Sequence, residues 1–89
     1  RLRAVHAARP TARLIVDGNE GVAADAYPAI AAAALKLGVV LIEQPFPADK
    51  DEALLKRPGP VAVCADESAH TSADIQTLAR SYDAVNVKL

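Results

Sequence analysis

Val39-Val40-Leu41-Ile42-Glu43-Gln44-Pro45 decides the fold: four consecutive apolar residues, three of them β-branched, close on a carboxylate and a proline. The run is too short for a helix and does not alternate apolar with polar residues. It reads as a strand of a parallel sheet covered on both faces. Three further runs share its form, Leu14-Ile15-Val16 ending at Asp17, Val61-Ala62-Val63-Cys64 leading to Asp66, and Ala84-Val85-Asn86-Val87 ending at Lys88. Helical patterns separate them. Asp25 is placed to cap a helix running to Leu37, with Pro28 in its first turn, Ile30, Ala33, Ala34 and Leu37 on one face, and Gly38 as its stop.

The order continues outward. Arg1–Ala8 reads as the end of a helix closed by Pro10, and Asp49–Lys56 as a short helix ended by Pro58-Gly59-Pro60. Ser72–Ser81 reads as a stronger helix, capped at Thr71 or Ser72, with Asp74 in its first turn and Ile75, Leu78 and Ala79 inward. Helices alternating with strands require right-handed crossovers and a parallel sheet, so the fold class is α/β.

Composition narrows the function. The 89 residues are 52% hydrophobic, enough for a core, and the formal net charge is −1 with no long block of one sign. That balance excludes the electrostatic footprint of a nucleic-acid binder, and 3% aromatics leave little to stack on bases. The longest apolar stretch, Ala29–Leu35, is far below the roughly 20 residues of a membrane helix, so no membrane partner is expected. The one cysteine, Cys64, cannot form an internal disulfide and reads as a buried, inert thiol, which fits a cytoplasmic protein. The chain has no initiator Met and stops directly after an apolar run, as a segment of a longer protein would.

The charged residues that close the four runs, Asp17, Glu43, Asp66 and Lys88, are spaced by 26, 23 and 22 residues. Parallel strands in register bring them to the C-terminal edge of the sheet, where barrel and doubly wound enzymes keep their sites. Taken singly, Asp17-Gly18-Asn19 is a turn, Glu43-Gln44-Pro45 a punctuated strand end, Asp66-Glu67-Ser68 a loop and Lys88 a solvated lysine. The repetition at one topological position is what points to a site. Three converging carboxylates repel one another unless a cation joins them, and a hard, octahedral Mg²⁺ is the matching partner. Asn19, Gln44 and Glu67 stand beside the ligands and are candidates for orienting them. His6 reads as exposed, and His70 as a bystander near the Asp66 loop.

The stretches Val16-Asp17-Gly18-Asn19-Glu20-Gly21, Ile42-Glu43-Gln44-Pro45, Cys64-Ala65-Asp66-Glu67-Ser68 and Val85-Asn86-Val87-Lys88-Leu89 resemble the enolase superfamily. Within it they are similar to the muconate-lactonizing subgroup, and most to the dipeptide epimerases. The resemblance implies that residues 1–89 are the central segment of a C-terminal (β/α)8 TIM-type barrel domain, carrying its third to sixth strands. It implies Asp17, Glu43 and Asp66 as Mg²⁺ ligands and Lys88 as an acid/base catalyst. The implied activity is a racemase/epimerase that removes the proton α to a carboxylate through a metal-stabilised enediolate. The implied substrate is a small carboxylate, a dipeptide or N-acyl amino acid. It further implies a Lys-x-Lys motif upstream of Arg1, an Asp-x-Asp segment downstream of Leu89, a capping domain, and room for a homo-oligomer in the full-length protein. Lys88 as a base requires a lysine whose pKa is lowered by a nearby cation and limited solvation. Relatives usually carry Gly-Trp where this chain has Gly21-Val22.

Muconate cycloisomerases and o-succinylbenzoate synthases of the same superfamily would use the same ligands and lysine. A receiver-type signalling domain also repeats βα units with acids at strand ends, but carries adjacent acids on its first strand. A non-catalytic barrel fragment is the remaining reading.

Overall fold

A computed structural model of the chain describes residues 1–57, 59–71 and 75–89, with the backbone alone for His70 and Thr71. The elements follow the order α1 (Leu2–Ala8), β1 (Leu14–Asp17), α2 (Tyr27–Lys36), β2 (Val39–Glu43), a 3₁₀ segment (Ala48–Lys56), β3 (Ala62–Ala65), α3 (Glu67–Thr71), α4 (Ile75–Ser81) and β4 (Ala84–Val85). The four strands form one sheet in the order β1-β2-β3-β4, every pair parallel. This is the consecutive, one-directional strand order from which a β/α barrel is built.

The core lies on one face of the sheet. Ile42, Val63 and Ala65 share a buried cluster with Tyr27, Ala31 and Ala34 of α2, Leu54 of the 3₁₀ segment and Leu78 of α4. The Tyr27 ring meets Phe46 edge-on, centroids 5.1 Å apart at 66°, the arrangement aromatic quadrupoles favour. Cover on both faces was expected; among the described residues the core cluster lies on one face and the other is left partly open. Ile15, Leu41 and Ala62 pair in register on the opposite face, where Ile15 is 64% exposed. In a closed barrel that face is the interior, filled by side chains from strands across the barrel.

Several elements differ in detail from the sequence reading. Helix α2 begins at Tyr27, without a side-chain cap, instead of at Asp25. Its buried stripe is Tyr27, Ala31 and Ala34, while Ile30 is 45% exposed. Tyr27 sets this rotation, because burying its ring against Phe46 outweighs burying one isoleucine. The helix stops as expected, with Gly38 at φ +85° and its N–H donating to the Leu35 carbonyl. Residues 48–56 wind as 3₁₀ turns across a kink at Lys50. In α4, Leu78 is buried but Ile75 and Ala79 are exposed, so the expected inward face narrows to Leu78 and Ser81. Of the two expected caps before α4, Thr71 instead ends α3, while Ser72 and the acid Asp74 fall outside the described residues, as does Pro58 of the expected stop. His6 is half-buried beside Gly38 instead of exposed. Among the described residues no helix is long and apolar enough to cross a membrane.

Candidate functional site

Strand register decides which charged side chains can meet. Asp17 pairs with Glu43, Glu43 with Cys64, and Cys64 with Ala84. Side chains alternate with a period of two, so Asp17, Glu43, Cys64, Asp66, Asn86 and Lys88 all belong to one face. The level edge expected from the spacing is instead a stagger. Asp66 stands two residues beyond Glu43's partner, about 6.6 Å further along the sheet, and Lys88 four beyond Ala84. Such a slope is what closing parallel strands into a barrel demands.

Each strand end is fixed by its own hydrogen bonds. Asp17 is exposed, and its Oδ1 accepts the main-chain N–H of Asn19 at 2.9 Å. The turn that follows lies along the end of β2. Gly18 N–H donates to the Glu43 carbonyl at 2.7 Å, Glu20 N–H to that of Gln44, and Val22 N–H to that of Pro45, both at 2.9 Å. Only glycine fits at 18, where a Cβ would lie 2.8 Å from Pro45 Cα and 3.0 Å from the Gln44 carbonyl oxygen. Asn19 and Glu20 then take left-handed φ of 49° and 63°, and Glu20 Oε2 accepts the Ala48 N–H at 3.2 Å.

Glu43 is half-buried, and its Oε1 accepts a hydrogen bond from Asn86 Nδ2 at 2.9 Å. Asp66 is only 8% exposed, and Lys88 Nζ lies 3.1 Å from its Oδ1 and 3.3 Å from its Oδ2. The hydrogen bond and charge of Asp66 hold the exposed Lys88 ammonium above the usual lysine range. That direction is opposite to the lowering a base requires, because the ammonium faces a carboxylate. Cys64 is buried between the two acids, and burial, then Glu43 and Asp66, push its thiol up, so it stays protonated and inert.

Gln44 organises the region. It is fully buried at φ 38°, and its Oε1 accepts the main-chain N–H groups of Asp66 at 2.9 Å and Ser68 at 3.0 Å. Its Nε2 lies 2.9 Å from the Phe46 carbonyl, from Ser68 Oγ and from Tyr82 OH. Both hydroxyls reach Asp51 Oδ2 as donors, Tyr82 at 3.0 Å, and they also stand 3.0 Å from each other, where either can donate. Burial foremost, with the Asp51 carboxylate adding to it, keeps the Tyr82 phenol well above its ordinary range.

Of the residues singled out from the sequence, Gln44 thus touches the Asp66 main chain directly. Asn19 reaches Asp17 through its main chain, and Glu67 opens α3 half-buried beside Asp66. Asp51, Ser68, Tyr82 and Asn86 escaped that reading. Asn86 had a usable signal, since it stands two residues before Lys88 and so on the same face.

Among the described residues, no group of three His, Cys, Asp or Glu side chains is disposed to hold a metal ion. The carboxylates turn instead to Asn19, Asn86 and Lys88. The donor chemistry and the register nevertheless fit a hard divalent cation: three carboxylates on adjacent strands, one face, one end of the sheet.

Comparison with known proteins follows the same line. The sequence model of the enolase C-terminal domain-like family matches residues 1–89. The chain is 43% identical to the L-Ala-D/L-Glu epimerase of Escherichia coli K12 over 89 residues, all of this chain and 28% of that protein. It is equally identical, over the same shares, to an N-acetyl-D-glutamate racemase from a Pseudoalteromonas species. The chain therefore spans about 28% of the length of these curated relatives. Among solved structures, an enolase family member from Agrobacterium tumefaciens, with homology to dipeptide epimerases and with bound sodium and L-Ala-L-Glu, is 48% identical. It superposes with a TM-score of 0.85 over 97% of this chain and 26% of that one.

Proposed function

The chain belongs to the enolase C-terminal domain-like family, and on that premise we propose that the protein carrying it is a Mg²⁺-dependent racemase/epimerase. Its substrate is a dipeptide or an N-acyl amino acid, the classes named for its relatives. Residues 1–89 form the central segment of its barrel domain, strands three to six, in a cytoplasmic and homo-oligomeric enzyme. The observation that carries this reading is the placement of Asp17, Glu43, Asp66 and Lys88 on one face at one end of four parallel strands, with Lys88 touching Asp66.

Asp17, Glu43 and Asp66 would hold the cation. When bound, it supplies a Lewis acid that offsets the negative charge gathering on the substrate carboxylate as the α-proton leaves. The remaining work falls to this chain's side chains. Asn86 restrains the Glu43 carboxylate, and Gln44 restrains the main chain at Asp66. Lys88 carries the proton at Nζ. Paired with Asp66 it is an ammonium, able to donate; to accept the α-proton it has to give up that contact.

Incubating the full-length protein with L-Ala-L-Glu or an N-acylated glutamate in D₂O with Mg²⁺ tests the proposal. Loss of the glutamyl α-proton signal, stopped by a chelator, is expected. Absence of exchange in both substrates contradicts it.

A further inference from the structure

The Asp66 loop is held by a network whose polarity is imposed from outside the strand ends. A carboxamide can present its oxygen or its NH₂ in either of two directions, and the wrong choice at Gln44 would set NH₂ against the N–H groups of Asp66 and Ser68. Both sides of Gln44 are constrained. Oε1 faces those two N–H donors, and Nε2 faces the Phe46 carbonyl and the Ser68 and Tyr82 hydroxyls. A hydroxyl, however, is both donor and acceptor, and by itself constrains nothing.

Asp51 limits that freedom. A carboxylate oxygen accepts, and Asp51 Oδ2 lies within hydrogen-bond reach of both hydroxyls, which also stand 3.0 Å from each other with either able to donate. With the hydroxyl protons directed to Asp51 or to the neighbouring hydroxyl, lone pairs are turned to Gln44 Nε2, which reinforces the polarity set by the Phe46 carbonyl on Nε2 and the Asp66 and Ser68 N–H groups on Oε1. Tyr82 remains a phenol, because burial and Asp51 disfavour its phenolate. The four side chains come from the end of β2, the 3₁₀ segment, α3 and the end of α4, so the lock joins the helical layer to the loop bearing Asp66.

We propose that Asp51, acting through Ser68 and Tyr82, is a positioning residue that fixes the Gln44 carboxamide and thereby holds Asp66 where a divalent cation binds. The cation-binding role of Asp66 rests on the function proposed above; the lock itself does not.

Two readouts separate them. Hydrogen-exchange mass spectrometry of the metal-free, full-length protein follows the amides of Asp66 and Ser68 in wild type, Asp51→Ala, Asp51→Asn and Tyr82→Phe. Mn²⁺ titration, followed by the paramagnetic resonance of the free ion, gives the affinity in the same proteins. Exchange at Asp66 and Ser68 is expected to rise about tenfold in Asp51→Ala and Tyr82→Phe. The Mn²⁺ Kd is expected to rise about tenfold, the lower end for residues that support metal ligands. Asp51→Asn, which keeps an acceptor oxygen, should recover most of both effects. Unchanged exchange in Asp51→Ala and Tyr82→Phe overturns the lock. Faster exchange with an unchanged Kd overturns the link to the cation and leaves a purely structural network. Absence of saturable Mn²⁺ binding in wild type overturns the proposed function and, with it, the cation half of this inference, while the exchange result still decides the lock.

Discussion

Replacing Gln44 with leucine should cost far more stability than its polar character suggests. Gln44 is fully buried, and its Oε1 accepts from two main-chain N–H groups, those of Asp66 and Ser68. Leucine fills a similar volume but offers no acceptor. Each buried donor left unpaired costs about 1–3 kcal/mol, so the two together cost about 2–6 kcal/mol. The Ser68 and Tyr82 hydroxyls keep Asp51 as partner and lose little. Burial of the leucine side chain returns about 1–2 kcal/mol. From the middle of both ranges the net loss is about 2–3 kcal/mol, measured by urea unfolding of the full-length protein at neutral pH, with circular dichroism as the probe. A Gln44→Leu protein within about 0.5 kcal/mol of wild type, below even one unpaired donor, would refute the reasoning, since it would mean that those N–H groups are not held by this side chain.

Other outcomes follow from the same geometry. Gly18→Ala should lose about 1–3 kcal/mol in the same unfolding assay, because the added methyl meets the Pro45 backbone at 2.8 Å and backbone cannot swing aside. Asn86→Asp sets a carboxylate against Glu43, so its stability deficit relative to wild type should shrink as pH falls from 7 to 4 and the pair takes up a proton. Tyr82 binds its proton more tightly folded than unfolded, so its contribution to stability is complete below the unfolded phenol's pKa near 10 and declines as pH rises above it. Chemical denaturation from pH 8 to 11 should therefore show a weaker decline in Tyr82→Phe than in wild type.

The strands were legible because buried parallel strands are written as short continuous apolar runs, and each run found here became a strand within a residue or two, β4 excepted. The carboxylates and Lys88 were legible because they recur at run ends. Details set by packing were not. The tyrosine that rotates α2 and exposes Ile30 leaves no periodic trace, and α3, five residues directly after Asp66, reads as loop because it is shorter than any periodicity. The Gln44 network joins residues as far as 38 positions apart and depends on which hydroxyl donates to which acceptor, information absent from any local pattern. The stagger of Asp66 and Lys88 also needed the register. Intervals of 23 and 22 residues look level, yet the paired residues are offset by only 21 and 20, Glu43 with Cys64 and Cys64 with Ala84.

The central claim is that Asp17, Glu43 and Asp66 serve one divalent cation, although each carboxylate has a different partner in the metal-free arrangement. Mn²⁺ titration of the full-length protein against Asp17→Asn, Glu43→Gln and Asp66→Asn variants tests it directly. The account predicts one saturable ion per chain in wild type and affinity lowered by about tenfold or more in each of the three variants. A wild-type ion retained with undiminished affinity in any one of them would contradict it.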